Sequence, residues 1–460
     1  MLAELLPLLF FATICLALMT GYPVALVLAG VSILFAGVAS LFGGFDDAYF
    51  NLIPNRIYSI LINQNLLAIP LFVFMGIMLQ RSRIAEDLLK NMAIVMGRFP
   101  GGLGVSVVVV GMLLAASTGI VGATVVTMGI LSLPVMLKSG YSARLATGTV
   151  CATGTLGQII PPSICLVLLG EVMANAYQQA QLSSGSYAPV SVSIGDLFAG
   201  AVIPGLLLVG CYASYIALSA LFRPSVAPRI KHDDPADAEV SLSHALINGL
   251  LPPVMLMVAV LGSILGGLAT PTEAASVGAA GAMLLAAVRN QLNFKVMHEV
   301  SMQTMKVAAM VYLILIGATI FAAVFRGLGG DQLIEEWLLA IPGGVVAATF
   351  VVMLLIFLLG FILDFIEITF MVVPLVGPIL LAMGLDPVWL GVMFAINLQT
   401  SFLSPPFGFS LFYLRSVAPP TVGTNDIYWG VIPFVLIQLA VLLLLAWQPT
   451  LVTWLPSKLG

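Results

Sequence analysis

Residues 154–170 read GTLGQIIPPSICLVLLG and residues 398–414 read LQTSFLSPPFGFSLFYL. Each places a proline pair, Pro161-Pro162 and Pro405-Pro406, in the middle of a stretch apolar enough to cross a membrane. Proline has no N–H to donate and clashes with the preceding turn, so each pair interrupts its helix. Lipid cannot satisfy the backbone groups freed at that depth, and such a break persists only where protein or a polar cavity covers it. Two breaks of this kind point to a transport site.

The breaks belong to a repeat. Pro100-Gly101-Gly102 lies 61 residues before the first pair, and Pro342-Gly343-Gly344 lies 63 before the second. Gly140 and Gly384 each precede their pair by 21 residues, Pro134 and Pro378 by 27. Apolar stretches of about twice a span, 101–137 and 343–383, precede the broken helices at 142–174 and 387–415. Each carries polar or glycine residues at its centre and reads as a re-entrant hairpin, although a pair of full crossings would also use such a length.

The 460 residues are 61% apolar and 8% charged, with mean hydropathy +1.14, which specifies an all-α polytopic membrane protein. A net charge of −4 marks no nucleic-acid partner. Cys15, Cys151, Cys165 and Cys211 lack metal-ligand spacing and read as core thiols. The N-terminal MLAELLPLLF has no basic region ahead of it, so the first helix is expected to be retained.

Further helices are expected near 5–20, 22–42, 66–80, 195–222, 246–268, 273–288, 308–325 and 428–450, giving ten crossings and two hairpins. With hairpins, thirteen Lys and Arg fall on one side, leaving Arg56, Arg326 and Lys458 on the other. The positive-inside rule then places both termini outside. Five crossings separate the hairpins, so they open to opposite sides and the repeats are inverted, as in many secondary transporters. Segments 83–98, 290–306 and 331–341 read as interfacial helices. KHDDPADAEVSLSH at 231–244 is the polar joint between halves.

The chain thus divides into scaffold helices and an interfacial arm at 1–98 and one half of a transport domain at 99–175. An external loop, scaffold helices, a polar linker at 223–244 and arms fill 176–341. The second transport half occupies 342–416, and a C-terminal helix 417–460.

GYPVALVLAG (21–30), LLAIPLFVFMGIML (66–79), AASTGIVGATVVTMGILSLPVML (115–137), LGGLATPTEAASVGA (265–279) and GFILDFIEITFMVVPLVGPI (360–379), with the two proline-pair motifs, resemble the large membrane subunit of TRAP (tripartite ATP-independent periplasmic) transporters. The resemblance covers essentially the whole chain. It implies Na⁺-coupled import of an organic acid across a bacterial inner membrane, by elevator movement of the hairpin and broken-helix unit against a scaffold. It also implies a small four-helix membrane subunit and a soluble periplasmic binding protein. The external docking surface would include the loop 175–194 and the rim around Arg326, Asp331, Glu335 and Glu336.

Na⁺ that must bind and be released favours carbonyls and hydroxyls. Candidate ligands are Ser117, Gly119, Gly122, Thr153, Thr155, Gly360, Asp364, Thr400 and Ser401. Substrate candidates are Ser117, Thr118, Gly157, Gln158, Ser163, Asn397, Gln399 and Ser404. Small polar residues also pack membrane helices together. No Lys or Arg occurs in 99–137, 145–222 or 327–414, so a carboxylate would rest on helix N-termini, amides, hydroxyls and Na⁺. Asp364 and Glu367, spaced i, i+3, are either ion ligands or caps of a helix entering at Ile368. Thr270 and Glu273 form a capping-box pattern. His232, His244 and His298 offer no proton relay, and no catalytic constellation or phosphate-cradling loop is present. Proton coupling without a binding protein, a passive channel and an intramembrane hydrolase are the competing functions.

Overall fold

A computed structural model describes residues 2–46, 48–82, 88–89, 92, 96–97, 99–185, 190–229 and 251–459. The polar joint at 231–244 and most of the interfacial segment 83–98 lie outside them. No strand occurs among the described residues.

The N-terminal group is α1 (Leu2–Leu18), α2 (Val24–Leu41), α3 (Ala48–Leu61) and α4 (Ala68–Arg81). Helix α3 is an addition to the sequence reading, whose third helix began only at residue 66. Asn51, Asn55, Arg56 and Ser59 thin out its apolar pattern. Its axis meets the helix running from Asn65 to Arg81 at 53°.

The first transport half follows. Helix α5 (Gly102–Thr118) descends to a tip at Gly119, and α6 (Val121–Leu131) with α7 (Leu133–Lys138) returns. Gly119 has φ +62°, and a Cβ there would sit 2.9 Å from Ile164 Cγ1, so only glycine suits this turn. The broken helix is α8 (Ala143–Thr155), a 3₁₀ turn at Leu156–Gln158, and α9 (Ile164–Ser183). After α10 (Ile194–Phe222), α11 (Leu251–Leu265) and α12 (Pro271–Val288) comes α13 (Phe294–Gly327). Here the structure corrects the sequence reading: 290–306 is no separate surface helix. Residues 294–327 form one rod of 34 residues, about 51 Å long against about 30 Å of hydrocarbon. No proline breaks that rod, and its N-terminal third extends beyond a bilayer core.

Helix α14 (Gly330–Ala340) lies where a helix was expected at 331–341. The second transport half repeats the first: α15 (Gly344–Leu359), a tip at 360–364, α16 (Phe365–Met371) and α17 (Val373–Ala382) form the hairpin. Helices α18 (Pro387–Leu403) and α19 (Phe409–Val417) flank the second break. The C-terminal region is not a single helix. Helix α20 (Thr424–Trp447) is followed by the short turns Thr450–Thr453 and Pro456–Leu459. Both proline pairs contain a cis peptide bond.

Six helices among the described residues are long and apolar enough to span a membrane, and eight if each of two bent pairs counts once. The hairpin limbs α5 and α15 and the pre-break helix α18 have only 16 or 17 residues. Each of these elements ends at a hairpin tip or at a break.

The halves interlock. The returning limb α6 of the first hairpin packs on α19 beyond the second break, and α17 of the second hairpin packs on α9 beyond the first. This exchange makes one body of the two repeats. Around it, α4 packs on α12 and α13, and α2 on α13, forming a scaffold. The start of the linker is tied down: Gly101 N donates to Ala227 O at 3.1 Å, and Ser142 N to Val226 O at 2.9 Å.

Candidate functional site

The polar residues of the two breaks meet. Gln399 Nε2 on α18 donates to Thr155 Oγ1 on α8 across 3.4 Å, joining the repeats. Thr153, Thr155, Gln158, Ser163, Gln399, Thr400 and Ser401 are all at 0% exposure, and Asn397 and Ser404 at 5%. The core is therefore closed to both faces in this conformation.

Within it, most hydroxyls donate to backbone near their own breaks. Thr155 Oγ1 donates to Ala152 O (2.8 Å), Thr400 Oγ1 to Ile396 O (2.7 Å), and Ser404 Oγ to Thr400 O (2.8 Å). Thr153 donates to Thr149 O. Ser163 Oγ reaches over the first break to Gln158 O at 3.0 Å. A hydroxyl that spends its proton on a carbonyl still offers lone pairs, which is what a cation requires.

Amides behave differently. Both side-chain polar atoms of Gln158, and Oε1 of Gln399, are buried without a hydrogen-bond partner among the described residues. Buried polar groups are almost always paired, so these orphans make the meeting point of the two breaks the candidate site.

Glycines bring the hairpins close. A Cβ on Gly157 would sit 2.9 Å from Ala115 O on α5, and one on Gly122 would meet the Tyr413 ring at 3.0 Å. At Gly360 it would collide with Ser401 Oγ. Asn397 Nδ2 to Met353 O (2.7 Å) and Ser401 Oγ to Phe357 O (2.9 Å) staple α15 to α18. The side chains of Ser117 and Thr118 lie outside the described residues.

Asp364 and Glu367 take the capping geometry. Phe365 N donates to Asp364 Oδ1 at 2.7 Å, and Asp364 N to Glu367 Oε2 at 3.0 Å. The capped helix starts at Phe365, three residues before Ile368, because Asp364 is its N-cap. The Thr270–Glu273 box is also present.

Tyr212, Gln438 and Tyr413 escaped the sequence reading. Gln438 Nε2 donates to the buried Tyr212 hydroxyl at 2.8 Å, and Gln399 lies within that hydroxyl's reach. Tyr413 stands between Gly122 of one hairpin and the acids of the other. One tyrosine or glutamine in an apolar helix carries no spacing signal, so only the fold reveals these partners.

The family model of the tripartite ATP-independent periplasmic transporter, DctM component, matches residues 10–451. The chain belongs to this family. A C4-dicarboxylate TRAP transporter large permease of Vibrio cholerae is 29% identical over 98% of this chain and 97% of its own. The one from Pseudomonas aeruginosa is 30% identical, covering 86% and 87%. A sialic acid TRAP transporter large permease of Vibrio cholerae is 27% identical over 96% of each. The YdaH transporter of Alcanivorax borkumensis, with a topology described as unusual, shares the fold at TM-score 0.58 and 16% identity over 89% of each chain. This protein is accordingly a multi-pass membrane permease subunit of a TRAP transporter.

Proposed function

We propose that this TRAP permease imports a small organic acid together with Na⁺ across a bacterial inner membrane. A soluble periplasmic protein delivers the acid, and a small four-helix membrane subunit completes the complex. The carrying observation is the sealed core at the two breaks, rich in hydroxyls and carbonyls, free of Lys and Arg, and containing the unpartnered amide of Gln158 and the unpartnered Oε1 of Gln399. Hydroxyl lone pairs and carbonyls suit Na⁺, whose charge then holds a carboxylate that no local cation could hold. The related permeases named for C4-dicarboxylates and sialic acid favour the same substrate class.

The interlocked hairpins and broken helices are suited to move as one body against the scaffold, in an elevator motion. Side-chain hydrogen bonds between the two bodies join Gln80 to Thr127, Asn63 and Asn65 to Glu171, and Arg326 to Gln179, beside packing of α4 on α5 and of α13 on α16. Docking of the delivery protein falls to the external rim, where Arg326 pairs with Asp331 at 2.8 Å beside Glu335 and Glu336.

The test is uptake of a labelled acid into proteoliposomes holding the permease, its small subunit and the delivery protein. An inward Na⁺ gradient should drive accumulation. Accumulation unchanged without Na⁺ but abolished by a protonophore would instead favour proton coupling through Asp364 and Glu367.

A further inference from the structure

A cavity of about 360 Å³ lies away from the sealed core, between α3 and α13 of the scaffold and the body formed by α9, α16 and α17. Its walls include Arg56, Asn63, Glu171, Gln179, Arg326 and Phe370. Arg56 and Arg326, two of the three cations that the sequence assigns to the external face, thus share one chamber.

Their pairing is uneven. Arg326 Nε lies 2.8 Å from Asp331 Oδ2, and its Nη2 donates to Gln179 Oε1 at 3.2 Å. Half-buried Arg56 makes no hydrogen bond or close ion pair among the described residues, and the charges acting on it are Arg326 and Asp331. Two guanidiniums around a single Asp leave one positive charge unanswered. Glu171, the other acid lining the chamber, is not among the charges acting on Arg56, and its oxygens are turned to Asn63 Nδ2 (2.7 Å) and Asn65 Nδ2 (3.1 Å).

We infer that this chamber is a second anion site, a vestibule in which Arg56 and Arg326 hold one carboxylate of a small organic acid outside the sealed core. The inference takes its ligand class from the function proposed above. A guanidinium presents a planar fork that matches a carboxylate with two parallel N–H···O bonds. The volume suits a small organic acid, lying at the lower end of the range for ligand pockets. Phe370 and Pro374 of the second hairpin form the opposite wall, so a bound acid touches the body that also contains the core. The vestibule supplies the fixed positive charge that the core lacks. An acid released from the delivery protein is held there before the core opens.

The first test reads binding without transport. The full chain in phosphatidylcholine nanodiscs is treated with phenylglyoxal, and modification of each arginine is followed by mass spectrometry. Succinate, gluconate and acetate are tried singly, with succinamide as the neutral control. At least one acid should slow modification of Arg56 and Arg326 about tenfold, the worth of one charged hydrogen-bonded contact, while Arg289 and Arg415 are unaffected and succinamide does nothing. Equal rates with and without every acid would overturn the site, as would equal protection by succinamide.

A second arm measures uptake in the complete transporter. Arg56→Gln should raise the half-saturating acid concentration about tenfold, whereas Arg289→Gln should not. Robust uptake with an unchanged half-saturation in Arg56→Gln refutes the vestibule and leaves the transport reading intact. Protection of Arg56 in a protein that accumulates no acid does the reverse.

Discussion

Gln158 is fully buried with neither amide atom partnered, a condition that costs about 1–3 kcal/mol in an otherwise satisfied interior. Structural glue is not left in that state. Gln158→Leu, which removes the orphaned atoms at similar volume, should therefore leave thermal stability unchanged or raise it by up to about 2 kcal/mol, while lowering uptake at least tenfold (~1.4 kcal/mol). Unfolding in detergent and initial uptake rates measure the two sides. A variant that transports normally, or one that loses both stability and transport, would assign Gln158 to packing. Thr155 and Ser404 differ from it, since both hydroxyls already donate and their remaining lone pairs fit a cation.

Elements act here through their ends. The second hairpin turns at residues 360–364 and restarts as α16 on the Asp364–Glu367 capping box. Loss of an N-cap costs about 1 kcal/mol, and Asn caps about as well as Asp. Asp364→Ala should therefore destabilise the protein by about that amount, and Asp364→Asn should restore stability. If the carboxylate only caps, Asp364→Asn also restores uptake. Stable protein with no uptake in Asp364→Asn would make the charge itself part of ion coupling. The proline pairs, the polar hairpin centres and the Thr270–Glu273 capping box were legible in the sequence because each uses a residue type with one dominant backbone role. The start of α3, the continuity of α13 through residue 306 and the restart at Phe365 were not. Polar residues in α3 hide its apolar period, and Lys306 in α13 resembles a helix end although nothing there breaks the backbone.

At the scale of the whole molecule, the sequence revealed the duplicated plan but not how the halves fit together. Offsets between Pro and Gly residues say that two hairpins exist. They do not say that α6 lies on α19 and α17 on α9, because such long-range packing depends on small-residue contacts such as Gly122 with Tyr413. The same limit hid the chamber where Arg56 and Arg326 meet, 270 residues apart in sequence. The assembled molecule is one interlocked body seated against a separate set of scaffold helices, with α4 on α5 and α13 on α16 at the seam. That arrangement is the basis for proposing that the body moves.

The central claim is that this motion carries the core across the membrane, and tethering the two bodies tests it most directly. Asn63 on the scaffold side and Glu171 on α9 are in hydrogen-bond contact at 2.7 Å. Asn63→Cys with Glu171→Cys, in a background lacking Cys15, Cys151, Cys165 and Cys211, is joined by a short thiol cross-linker that a reductant cleaves. Uptake should fall to background in the cross-linked protein and return on reduction, with either single variant unaffected by the linker. Full-rate uptake through protein shown by mass spectrometry to be cross-linked would contradict the account.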